Sequence, residues 1–152
     1  MLDLIRELRD VAAALDAAGV TYALAGGLAV SLYTAPRATQ DIDFLLAAAD
    51  VDRVVVALQP LGFRTAGRPM RVAGGRMDIQ RLIKIDGADV LPLDLLLPLD
   101  HELTGILGER AKIIWQGTTL SIVTLSGLRT LKRLRGSAQD RADLDALGPD
   151  SP

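Results

Sequence analysis

Gly26-Gly27-Leu28-Ala29-Val30 is followed, fourteen residues after Gly27, by Asp41-Ile42-Asp43-Phe44-Leu45-Leu46, and the reading of these two segments decides the fold. Val20 to Ala25, just before the glycines, is short, apolar and partly β-branched or aromatic, whereas Leu28 to Tyr33 has the composition of a helix. Strand, tight turn, helix is the expected order. Pro36 then breaks the chain, Asp41 to Leu46 reads as a second strand, and Asp50 to Leu58 returns to a helical pattern.

Upstream, Ile5, Leu8, Ala12 and Leu15 recur at steps of three and four, with Arg6, Glu7, Arg9, Asp10 and Asp16 between them. This spacing predicts an amphipathic helix ending near Gly19. Downstream, Phe63 to Leu97 reads as two or three strands, with a Gly74-Gly75 turn before Met77 to Ile85 and an Asp86-Gly87 hairpin turn into Asp89 to Leu97. Asp100 to Glu109 reads as a helix, Ile113 to Val123 as a hairpin or edge strand turning at Gly117-Thr118, and Ser126 to Leu147 as two helices parted at Gly136. One domain is expected over residues 1–147, with 148–152 as a tail.

Composition narrows the chemistry. The 152 residues include no cysteine and one histidine, which excludes a disulfide framework, a thiolate nucleophile and a Cys/His zinc cluster. No Gly-x-Ser-x-Gly elbow is present, and His101, at a helix start between Asp100 and Glu102, reads as a surface residue. Trp115 reads as packing at a strand edge. Seventeen basic against nineteen acidic side chains do not describe a chain that coats nucleic acid. The longest apolar runs are far below the roughly 18 residues of a membrane span, and the N-terminus lacks the pattern of an export signal, so a cytoplasmic protein with no membrane partner is expected.

Carboxylates remain. Side chains alternate along a strand, so Asp41 and Asp43 point one way while Ile42, Phe44 and Leu46 point the other, into the core. Two like charges this close raise one pKa unless a cation neutralises them, and hard oxygen donors suit Mg²⁺ or Mn²⁺. The bland alternative is a pair of acids on a solvated strand face. Asp94 interrupts the apolar run Val90 to Leu97 and must reach solvent, a cation or a hydrogen-bonding partner. If its strand lies beside that of Asp41, three carboxylates can hold two divalent ions about 4 Å apart, the arrangement used for in-line nucleotidyl transfer. The glycine pair lets backbone approach a phosphate at a helix N-terminus, or else is simply a turn.

The segment Gly26-Gly27-Leu28-Ala29-Val30 … Arg37-Ala38-Thr39-Gln40-Asp41-Ile42-Asp43-Phe44 resembles the nucleotidyltransferase superfamily of DNA polymerase beta type. Its variant is most similar to the AbiEii-type toxins and related small bacterial nucleotidyltransferases, over about Tyr22 to Leu46. That resemblance implies a mixed α+β domain with a mixed sheet flanked by helices, Asp41 and Asp43 as metal ligands, and Asp94 as the third carboxylate. The Gly-Ser common in the superfamily stands here as Gly26-Gly27, without the hydroxyl. The AbiEii-like group also carries a lysine on a helix after the sheet and an acid shortly beyond. Lys132 is placed similarly, implying a triphosphate contact, as is Asp140, implying a cation-orienting or site-closing role. Asp140 reads equally as part of a helix-start capping box.

Arg37 and Thr39, in the loop entering the Asp-x-Asp strand, suit a phosphate or substrate contact and orientation of the first metal ligand, or ordinary loop polarity. Arg129, Lys132, Arg133 and Arg135 gather on one helix, a polyanion-attracting face or a solvated basic one. The expected activity is metal-dependent transfer of a nucleoside monophosphate from an NTP to RNA, protein or a small molecule, with pyrophosphate released, possible within a toxin–antitoxin system. The alternatives are a non-catalytic toxin or antitoxin partner and an aminoglycoside- or lincosamide-type antibiotic-modifying enzyme.

Overall fold

The computed structural model describes residues 2–34 and 41–149. Helix α1 (Leu4–Ala17) starts at Asp3, whose side chain accepts from the Ile5 and Arg6 N–H groups. It is followed by β1 (Tyr22–Ala25), α2 (Gly26–Tyr33), β2 (Ile42–Leu46) and α3 (Val51–Leu58). Then come β3 (Arg64–Thr65), β4 (Met70–Val72), β5 (Met77–Asp86) and β6 (Asp89–Pro98). Helix α4 (His101–Gly108), the hairpin β7 (Ala111–Trp115) and β8 (Thr118–Ile122), α5 (Leu125–Arg135) and α6 (Ala138–Leu147) complete the chain.

The strands form one mixed sheet in the order β3-β5-β6-β2-β1-β8-β7, with β4 also paired to β5. β2 is antiparallel to β1 and parallel to β6, and β1 runs parallel to β8. Central strands covered on both faces need near-continuous apolar sequence. β2 has it, with all five residues buried, as does β6, where Leu91, Leu93, Leu95, Leu96 and Leu97 are buried. Lys84 of β5 donates to both carboxylate oxygens of Glu7 at 2.8 and 3.0 Å, which ties α1 to one face. Helices α2, α5 and α6 pack together and lie over the other face.

The expected mixed α+β single domain is the one observed, and several details differ, among them that Phe63 to Leu97, expected as two or three strands, contributes to four, β3 to β6. Glu7, expected on the solvent side of α1, is buried because Lys84 meets it, whereas Ile5, expected in the apolar stripe, is 39% exposed. Val11 fills the stripe instead. Asp41 precedes β2 rather than belonging to it, and the turn between β1 and α2 is confined to Gly26, whose φ of +65° leads from Ala25 directly into the helix. Among the described residues no helix is long and apolar enough to cross a membrane.

Candidate active site

Four residues line up across the middle of the sheet, each the register partner of the next: Ala25 on β1, Asp43 on β2, Asp94 on β6 and Arg81 on β5. Directly paired residues share a face, so Asp43, Asp94 and Arg81 all point toward the α2, α5 and α6 side. Arg81 grips Asp94 as a two-pronged fork, Nε to Oδ1 at 2.8 Å and Nη2 to Oδ2 at 3.0 Å. The cation that an acid inside so apolar a strand requires is therefore supplied by the neighbouring strand.

Asp43 has no such partner among the described residues. It is 8% exposed, and among the described residues no hydrogen bond or ion pair reaches its carboxylate. Burial, then the nearby charge of Asp94, push its pKa up to about 6, against the opposing pull of Arg135 and Lys132; Asp41 adds to the rise. Gly26 makes this packing possible. Its φ is +65°, and a Cβ there would lie 2.0 Å from Asp43 Oδ2 and 2.7 Å from Cγ. Any larger residue would displace the carboxylate. The N-cap of α2, Ala25, offers no side-chain acceptor, so the first N–H groups of α2 lie beside Asp43 without a side-chain cap.

The other expected site residues fall in three places. Asp41 is half-buried, and its charge bears on both Asp43 and Arg81. Gly27 lies in the first turn of α2, where its carbonyl accepts from Ser31 at 3.1 Å. Arg37 and Thr39 lie outside the described residues. Lys132 and Asp140 are in the α5–α6 interior: Lys132 Nζ is 3.2 Å from Asp140 Oδ1 and 2.8 Å from Asp143 Oδ2, with side chains of 6%, 2% and 3% exposure.

Among the described residues no group of three acidic or histidine side chains is already placed to hold a metal ion, and Asp94 is turned to Arg81. The basic helix is not one uniform face. Arg129 is buried and donates to the Leu147 and Gly148 carbonyls, Lys132 is buried on two acids, and Arg135 keeps a side chain half exposed. The capping-box reading of Asp140 holds: Ser137 Oγ accepts from the Asp140 N–H, and Asp140 accepts from the Ser137 N–H. His101 is exposed, and Trp115 lies half-buried on β7 at the end of the strand order.

Arg81 and Asp143 were not singled out from sequence. Arg81 had a usable signal: with Asp86 opposite Asp89 at the hairpin turn, five steps along each strand set Arg81 against Asp94. Asp143 had none, because its pairing depends on how α6 folds back on α5.

A profile of the aminoglycoside-2″-adenylyltransferase family matches residues 7–88. Solved structures share the fold. The lincosamide antibiotic adenylyltransferase LnuA, bound to lincomycin, is 15% identical with a TM-score of 0.62, covering 93% of this chain and 94% of that one. A nucleotidyltransferase structure from Thermotoga maritima is 14% identical with a TM-score of 0.66, covering 93% and 89%. ANT(2″)-Ia in complex with adenylyl-2″-tobramycin is 12% identical with a TM-score of 0.65, covering 94% and 86%. Among proteins of curated function none matches at the level of sequence. The profile spans more than half of the chain and contains β1, α2, β2 and the whole of β5, including Gly26, Asp43 and Arg81, and on that match the chain belongs to the aminoglycoside-2″-adenylyltransferase family of nucleotidyltransferases.

Proposed function

We propose that this protein transfers a nucleoside monophosphate from an NTP to a hydroxyl of a small-molecule acceptor, at the site formed by Asp43, Asp94 and Asp41. The observation that carries the reading is Asp43 itself: a buried carboxylate without a partner among the described residues, held against a second carboxylate across one strand pair. Such a group is costly unless a cation joins it. The donor set is all oxygen, and it fits Mg²⁺ or Mn²⁺, with Asp41, Asp43 and Asp94 as the residues that would hold two ions. When bound, the ions supply charge neutralisation for the triphosphate and for the attacking oxygen. Asp94 would exchange Arg81 for metal.

In the reaction the acceptor hydroxyl oxygen bonds to the α-phosphorus, the bond from that phosphorus to the bridging oxygen breaks, pyrophosphate leaves, and the hydroxyl proton passes to water. Gly26, Gly27 and the free N–H groups of α2 would receive phosphate oxygens, with positive charge from Arg135 nearby. Arg37 and Thr39, in the segment between α2 and β2, are assigned phosphate contact and orientation of the first ligand. Lys132 contributes through its field on Asp43 while held by Asp140 and Asp143, and Asp140 acts as its orienting partner. No residue becomes covalently modified, so catalysis consists of positioning and electrostatics. The family match favours a small molecule as acceptor over RNA, protein or a toxin–antitoxin partner. We assign the reaction to the cytoplasm, where NTPs are supplied.

The test is Mg²⁺-dependent pyrophosphate release from each NTP in the presence of a panel of hydroxyl-bearing acceptors. Asp43→Ala should lower it by at least about a thousandfold. Unchanged turnover in that variant would remove the assignment.

A further inference from the structure

A cavity of about 400 Å³ opens between the β4–β6 part of the sheet and α5. Met77, Ile79 and Leu96 wall it on the sheet side, and Leu131 and Leu134 on the helix side. Among the described residues its polar lining comes from Arg135 and Ser137, with no carboxylate. The volume is within the ordinary range for small-molecule sites, roughly 300–1,000 Å³.

The cavity adjoins the carboxylate site. Ile79 and Leu96 are register partners, one strand repeat along the same face from the register partners Arg81 and Asp94. Arg135 lines the cavity and also bears on Asp43, so the cavity's charged edge is the edge nearest the carboxylates. Across the sheet, Gly26 follows β1 on one side of Asp43, and the cavity walls on β6 and β5 are on the other. In-line displacement sets nucleophile and leaving group on opposite sides of the transferred phosphorus. With the triphosphate at Gly26, the nucleophile arrives from the cavity side.

We propose that this cavity seats the acceptor, and that the acceptor is an amphipathic hydroxyl compound, neutral or singly anionic, with an apolar portion that fills the space between Ile79, Leu96 and Leu134. This rests on the nucleotidyltransferase reading of the carboxylate site. A polycation is disfavoured by the same lining, because its ammonium groups would lose water against aliphatic walls and meet Arg135 in place of acids.

The test is calorimetric titration of the full chain with n-octyl β-D-glucoside below its micelle concentration, and separately with tobramycin, with and without Mg²⁺ and ATP. The glucoside is expected to bind the wild-type chain, ATP is expected to leave that binding in place, and Leu134→Glu is expected to weaken it at least about tenfold. Ile79→Glu, from the opposite wall, serves if the first variant fails to melt cooperatively. Failure of the glucoside to bind, tighter binding of tobramycin, or displacement of the glucoside by ATP overturns the proposal, the last because the cavity would then belong to the nucleotide. Failure of Mg²⁺ and ATP to bind, with glucoside binding intact, would instead count against the nucleotidyltransferase reading.

Discussion

Asp43 and Asp140 are both almost inaccessible, at 8% and 2% exposure, and they titrate in opposite directions. Around Asp140, burial alone would favour the neutral acid, but the Ser137 hydroxyl and N–H donate at 2.7 and 3.1 Å, and Arg135 and Lys132 add positive charge. Its pKa falls below the usual carboxylate value. Around Asp43, burial and Asp94 dominate, and the pKa rises to about 6. A buried charge given its partners joins two helices, whereas one denied them stores a cost that a bound cation can relieve. We therefore propose the α5–α6 corner as support and the β2–β6 pair as the reacting centre.

The sharpest way to break that contrast is at Lys132. Lys132→Met leaves Asp140 and Asp143 buried without their shared cation, and should cost about 3–5 kcal/mol in urea unfolding. A loss below about 1 kcal/mol would show that the corner does not depend on this pairing. Next is Gly26→Ala, which adds a positive-φ penalty to a collision with the Asp43 carboxylate. It should destabilise by about 2–4 kcal/mol and reduce nucleotide transfer together with stability. A neutral Gly26→Ala would mean that Asp43 can move aside freely.

The pH response sharpens the same comparison. Folded Asp43 holds its proton up to about pH 6 against a reference of 3.8, so between these values the folded chain binds more protons than the unfolded one. Stability should then fall as pH rises through that window, by about 3 kcal/mol in total, and Asp43→Asn should remove that fall. Asp140, whose shift is downward, contributes in the opposite sense: its stabilisation is full above the unfolded value and is lost only as pH drops below it. Identical pH profiles for wild type and Asp43→Asn between pH 4 and about 6.5 would contradict the account. The smallest effect is at Arg81, whose side chain is 49% exposed. Arg81→Gln leaves the Asp94 side chain, 12% exposed, without its fork, and should cost the metal-free protein about 1–2 kcal/mol while strengthening Mn²⁺ binding several-fold, since the fork and the ion compete for Asp94.

Much of this arrangement was legible in sequence wherever a local rule governed it. The Asp86-Gly87 turn fixed the β5–β6 register, the apolar runs identified the central strands, and alternation put Asp43 opposite in direction to Ile42 and Phe44. What escaped was set by distant partners. The two-residue β3 and three-residue β4 carry too little periodicity to stand out and exist by pairing with β5. Glu7 is buried only because Lys84, 77 residues away, meets it. Arg129 and Lys132 looked like free cations because their partners, the α6 C-terminus and the acids of α6, come together only when the helices close at Gly136.

We propose that the Asp43 carboxylate, unpartnered among the described residues, is where a divalent cation enters. Calorimetric titration of Mn²⁺ with ATP present, into wild type and Asp43→Asn at pH 7.5, tests it most directly. The account predicts saturable Mn²⁺ uptake by the wild type and its loss in the variant; equal uptake by both would contradict it.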